Sequence, residues 1–272
     1  MRAEIKILTI SNLILLSFMI MAALFEGVLT TIVYYIGYFA AIAAGFLLYW
    51  IEKKSKIFTA DFLKFDKHAA AATALMTAPT VAAVMGISFL TSLLISRTVG
   101  VVSSVELDGR IWVDIIVHAF IPAVLEETLF RYLPLRVLKG GSRLCTVVVS
   151  SIFFACIHMS FLAIPYALFA GAIFMLVDIL ADSVIPSLVI HFINNVLSIL
   201  WLYFSENPAF HNSYIIMVVT LALLSLVVIA LFGRGEIKRL VALLREAGVC
   251  KLSYEPLLFI VPTLVLAVAE LV

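Results

Sequence analysis

The sequence predicts an all-α membrane protein, a polytopic bundle of about eight transmembrane helices followed by a short C-terminal apolar segment. Three observations point there. Of the 272 residues, 64% are hydrophobic and only 13% are charged, with a mean hydropathy of +1.20; a soluble domain of this length does not carry such a composition. Apolar runs recur along the chain at the length a helix needs to cross a hydrocarbon core of about 30 Å. Lysines and arginines gather in alternate loops, as the positive-inside rule asks of a multi-span protein. The net charge of +1 gives no reason to expect a nucleic-acid partner. The three cysteines, Cys145, Cys156 and Cys250, are scattered and suggest no metal site.

Taken in order, residues 5–25 read as the first span, Glu26-Gly27 as a turn and 28–51 as the second span. The stretch from Glu52 to His68 is polar and carries Lys53, Lys54, Lys56, Lys64 and Lys67. Span three is 69–96, with Pro79 expected to kink it. A mixed-charge loop, 97–110, leads to span four at 111–133. Arg136, Lys139 and Arg143 surround a Gly140-Gly141 turn before span five, 144–160. Spans six and seven are 162–181 and 184–204, and span eight is 214–232. The segment 234–255 is basic, and within it Ile237, Leu240, Val241 and Leu244 alternate with Lys238, Arg239 and Arg245. That pattern is an amphipathic cytoplasmic helix suited to an anionic leaflet, or equally an ordinary solvated helix. The final run, 257–272, is short for a span. The charge pattern places the N-terminus in the cytoplasm. The whole of 1–272 reads as a single integral membrane domain with membrane lipids as its surroundings. The expected location is the cell membrane.

Three stretches put polar groups where lipid or a helix core is expected. In span four, Glu126 and Glu127 are followed by Arg131. A charge near a bilayer midplane costs roughly 2.5–3.5 kcal/mol even on lenient scales, so it calls for a function. Glu127 and Arg131 are four apart and share a helical face, so they can pair. Glu126 lies about 100° round the helix and is left for other work. In span five, His158 follows Phe154 by four residues; in span seven, Asn195 follows His191 by four. With a rise of about 1.5 Å per residue, Glu126 lies roughly 20 Å from Lys139 and His158 roughly 22 Å from Arg143. By the same rise His191 and Asn195 lie roughly 13 and 20 Å from Asp182, so three helices deliver polar groups to similar depth. The remaining histidines, His68, His118 and His211, read as structural or solvated. Asp178 and Asp182 read as ordering the turn after span six.

A carboxylate, two imidazoles and an amide can activate water. Burial would make Glu126 a better general base, His158 could orient the same water, and His191 and Asn195 could donate to a tetrahedral oxyanion. The same residues allow a zinc shell of Glu126, His158 and His191 with an open fourth position. The metal-free arrangement, with no cofactor, is preferred, because a His/Asn pair on one face makes better sense as two donors than as one ligand and a bystander. Two rivals from other classes are a non-catalytic scaffold that regulates a partner and a proton-coupled transporter; the latter predicts an internal repeat that the sequence lacks.

Glu126-Glu127-xxx-Arg131, Phe154-xxx-His158 and His191-xxx-Asn195, in that order, resemble the CAAX prenyl protease and bacteriocin-processing family, also called CPBP or Abi. The resemblance covers about 115 to 204, and it implies a catalytic core at about 111–204. It implies an intramembrane endopeptidase in which Glu126 and His158 activate the water while His191 and Asn195 bind the oxyanion, with Glu127, Arg131 and Phe154 in support. The substrate it implies is a peptide or protein, membrane-associated or lipidated. The interval between His158 and His191 is shorter than in eukaryotic-type prenyl proteases. That points away from a prenylated CAAX substrate and toward the prokaryotic branch with its diverse substrates.

Overall fold

Backbone amides in lipid find no water, so a membrane segment must satisfy them within itself, and a helix does so. The computed structural model accordingly shows helices and turns, with no strand, among its described residues, which are 2–55, 63–99, 107, 109–245 and 254–269. The helices are α1 (Arg2–Ala22), α2 (Val28–Lys53), α3 (Lys67–Val99), α4 (111–137), α5 (Arg143–Cys156), α6 (Ala163–Ala181), α7 (Ile185–Phe204), α8 (Pro208–Arg245) and α9 (Leu257–Ala269). Polar residues inside α1 cause no conflict, since Thr9, Ser11 and Asn12 bond back to the carbonyls of Ile5, Ile7 and Leu8. Asp66 starts α3 by accepting from the amides of His68 and Ala69, both at 2.9 Å. Those bonds, that from Ala69 first, hold its carboxyl below the usual range.

Six helices, α1, α2, α3, α6, α7 and α8, contain stretches long and apolar enough to cross a bilayer. Two of the expected spans depart from uniform apolar rods. α4 carries the charged residues and alternates ordinary turns with two wider π turns, Ile115–Phe120 and Thr128–Tyr132. α5 has only 14 residues, about 21 Å, and falls short of a core of about 30 Å. The expected span 144–160 therefore ends early, and His158 lies in the turn beyond it. That turn includes Met159 at φ 45°, a left-handed conformation in which no α-helix continues.

α8 runs unbroken for 38 residues, about 57 Å, so its basic end extends past the bilayer core. Leu240, Leu243 and Leu244 pack against Val147 of α5 and Met175 and Ile179 of α6, while Ile237 and Val241 stay exposed. The apolar stripe read at 236–247 thus serves partly to hold α8 against the bundle; residues 246–253 lie outside the described ones. α9 has 13 residues with Pro262 inside it, about 20 Å of helix.

α4 lies between the α1–α2 hairpin on one side and α7 on the other, and α5 and α6 form a second hairpin against it. α3 crosses α6, α7 and α8. The α2 contacts are close because two glycines permit them. A Cβ on Gly37 would stand 2.5 Å from Phe18 Cβ, and one on Gly45 would stand 2.5 Å from Leu133 Cδ2 of α4. On the face of Gly45 Tyr38 and Ala41 are fully buried, so the approach to α4 at Gly45 carries Tyr38 toward the middle of α4.

Candidate active site

Glu126 and Glu127 end the regular turn of α4 that precedes the second π turn. Such wide turns recur at functional sites because they re-aim side chains that a regular helix would spread evenly. Both carboxylates are buried, at 7% and 2% exposure. The expected ion pair forms: Arg131 Nε stands 3.3 Å from Glu127 Oε2. Arg131 is wholly inaccessible. Its Nη1 donates to the Phe130 carbonyl and to Ser150 Oγ, both at 3.2 Å, and its guanidinium lies 4.6 Å from the Phe154 ring centre and 5.4 Å from that of Phe174. A weakly hydrated, flat cation suits such a slot between aromatic faces.

The two glutamates do not go separate ways as their 100° offset suggested. Both reach His191 from α7. His191 Nδ1 donates to Glu127 Oε1 at 2.7 Å, and its Nε2 faces Glu126 Oε2 at 3.7 Å. One imidazole therefore sits between adjacent carboxylates. Glu127 fixes the ring through Nδ1, so Nε2 is the nitrogen presented to Glu126. The other oxygen of Glu126, Oε1, accepts from the Tyr38 hydroxyl at 3.2 Å.

His158 is held differently. Its Nδ1 donates to the Phe154 carbonyl at 2.8 Å, one of the last-turn carbonyls that a helix end leaves without an amide partner. That bond leaves Nε2 with its lone pair in the neutral ring. Phe154 is the hub of the site: its ring centre lies 5.0 Å from that of His158, 5.8 Å from His191 and 5.5 Å from Phe130. His158, Tyr166 of α6, and Tyr34, Tyr35 and Tyr38 of α2 all lie within electrostatic reach of Glu126. Asn195 follows His191 by one turn of α7 and is half-buried.

Residues 108–197 match the family model described as type II CAAX prenyl endopeptidase Rce1-like. Over those residues the chain is similar to the CAAX protease family. The Rce1-like segment takes in α4, α5, α6 and α7 as far as Asn195, and so all three motifs. Its apolar helices make the protein an integral membrane one. No curated protein and no solved structure matches the chain.

The zinc alternative would need three of the site's donors around one point. Among the described residues no three His, Cys, Asp or Glu side chains converge closely enough to hold a metal ion.

Two contributors to the site were missed in the sequence. Tyr38 lies outside the Rce1-like segment, in a span that reads simply as apolar; its only signal was the spacing of Tyr34 and Tyr38 on one helical face. The second is Asp178, which does order the turn after α6 but does so from the floor of the site. It is fully buried and accepts from the Ser187 amide at 3.1 Å and the Ser187 hydroxyl at 2.7 Å. Ser187 lies one turn before His191 and also against Glu127, so this clip between α6 and α7 sets the position of the histidine.

Proposed function

We propose that the protein is an intramembrane endopeptidase that hydrolyses a peptide bond with a water molecule activated by Glu126, without a metal ion. The observation that carries this reading is the approach of Glu126 Oε2 to the Nε2 of a histidine already gripped by Glu127. The match to a family of membrane endopeptidases supports the reaction class.

In this reading Glu126 Oε2 takes a proton from water while the Nε2 lone pair of His158 accepts a hydrogen bond from the same water and orients it. The water oxygen attacks the scissile carbonyl carbon. The oxyanion that forms is met by the Asn195 amide and by His191 Nε2. With Nδ1–H already committed to Glu127, Nε2 carries a proton only in the imidazolium, so His191 acts as a charged donor with Glu127 as its counter-ion. Collapse of the intermediate breaks the C–N bond, and the proton on Glu126 passes to the leaving amine. Glu127, Arg131 and Phe154 keep the geometry. The substrate is a membrane-associated or lipidated peptide or protein, and the N-terminus faces the cytoplasm.

The test is Glu126→Gln in purified full-length protein, assayed on a lipid-anchored, internally quenched peptide library. The amide cannot take the proton, and loss of a general base costs about 10²–10⁴-fold. Activity within a few-fold of wild type removes Glu126 from the mechanism.

A further inference from the structure

Each oxygen of Glu126 has a different neighbour. Oε2 looks at His191, and Oε1 is tied to α2 through Tyr38. The Tyr38 ring is fully buried and cannot swing away. Its hydroxyl also lies 3.2 Å from that of Tyr34, and the two rings meet edge to face with centres 5.1 Å apart. An ionised carboxylate only accepts, so Tyr38 must donate to Glu126. Its oxygen is then left to accept from the Tyr34 hydroxyl. The result is a directed chain, Tyr34 to Tyr38 to Glu126, in which each donor is polarised by the next.

We propose that Tyr38 is a positioning residue for the hydrolysis, holding Glu126 by Oε1 so that Oε2 is the oxygen that takes the proton from water. The proposal deepens the reading of Glu126 as general base and rests on it. A carboxylate free to rotate presents either oxygen and spends time with neither aimed. One held at Oε1 presents Oε2 toward His191 throughout the cycle. The bond uses Glu126 as an acceptor, which is the form able to act as base. Tyr35 does not take part: its hydroxyl donates to the Val117 carbonyl, in the first π turn of α4. Tyr166 and His158 face Glu126 from the α5–α6 side and have no hydrogen bond to it.

The experiment compares wild type, Tyr38→Phe, Tyr34→Phe, Glu126→Gln and a protein with a ring-fluorinated tyrosine in place of Tyr38. All are full-length in proteoliposomes, on the best-cleaved peptide of a lipid-anchored, internally quenched library. Tyr38→Phe keeps the buried ring and removes only the bond to a charged group. Its kcat is expected to fall about ten- to a hundred-fold with KM unchanged, and the acidic limb of its kcat/KM profile to move to higher pH. Tyr34→Phe, one bond removed, gives a smaller fall. The fluorinated tyrosine, a stronger donor, moves the limb to lower pH without loss of fold. Wild-type kcat and an unmoved pH profile in Tyr38→Phe, with Glu126→Gln inactive, overturn the role of Tyr38 and leave the base in place. A lowered melting temperature with an unmoved profile in both position-38 variants also overturns it, since that is a packing role only. An active Glu126→Gln overturns the reading beneath it instead.

Discussion

α4 carries two buried acidic clusters, one at each of its π turns, and they are built to opposite ends. At the first, Asp114 is 1% exposed, accepts from the Tyr203 hydroxyl of α7 and lies 3.6 Å from His118 Nε2, one turn on in the same helix. The nearby Val117 carbonyl accepts from Tyr35. This cluster has one carboxylate, hydrogen-bonded by Tyr203 of α7 with His118 of its own helix beside it, and that histidine reaches the surface. At the second, two carboxylates share one buried histidine, and only one of them, Glu127, is paired with an arginine. Glu126 is held at one oxygen and left facing an imidazole nitrogen, across a gap too long for a hydrogen bond. A structural cluster satisfies its groups; a reactive one leaves a chosen atom of each group unfinished. The comparison separates His118 from His191 on geometry, although both are histidines within reach of a carboxylate.

Substitutions can break this contrast. The largest effects belong to the oxyanion donors. His191→Ala and Asn195→Ala are each expected to lose roughly 10²–10³-fold in turnover with little change in substrate binding, whereas His118→Ala stays within a few-fold of wild type. Steady-state kinetics on one peptide decide it, and equal losses at His118 and His191 would erase the distinction. Next comes Glu127→Gln, which strands the Arg131 charge and loosens His191 together. Removing one partner of a buried pair costs about 3–5 kcal/mol, so poor yield or a lowered melting temperature should accompany loss of activity. A fully stable Glu127→Gln beside an unstable Arg131→Ala contradicts the pairing. The smallest effect is at the first cluster. Tyr203→Phe removes one hydrogen bond to a carboxylate, about 1.5–3 kcal/mol. It should lower the melting temperature while the turnover of the folded fraction stays at the wild-type value.

The contrast also marks what could be read from the sequence. Charge and spacing were enough for the helical bundle, for the Glu127–Arg131 pair and for the gathering of polar groups from α4, α5 and α7, because a charge in an apolar run must have a reason. The fate of single side chains was less legible. His158 was read as lying inside span five. The helix stops at Cys156 instead, and no residue type there announces the left-handed Met159. The shared grip of both glutamates on His191 depends on where α7 crosses α4. Spacing within one helix says nothing about that crossing. Tyr38 was invisible for a related reason: tyrosine is ordinary in a membrane helix, and it is the close approach of α2 to α4 at Gly45 that brings this one to Glu126. Conversely, the basic end of α8 read as a membrane-surface helix, yet three of its leucines pack on α5 and α6, since a helical stripe does not say which apolar surface it will meet.

The central claim is that Glu126 and His158 activate water without a metal ion, and elemental analysis with a chelation assay tests it most directly. Wild type and His191→Ala, both purified full-length, are analysed for zinc, and wild-type hydrolysis of the lipid-anchored peptide is followed before and after a strong chelator. The account predicts no stoichiometric zinc in either protein and an unchanged rate after chelation. One zinc per chain in wild type, lost from His191→Ala, together with a rate abolished by the chelator, would contradict it.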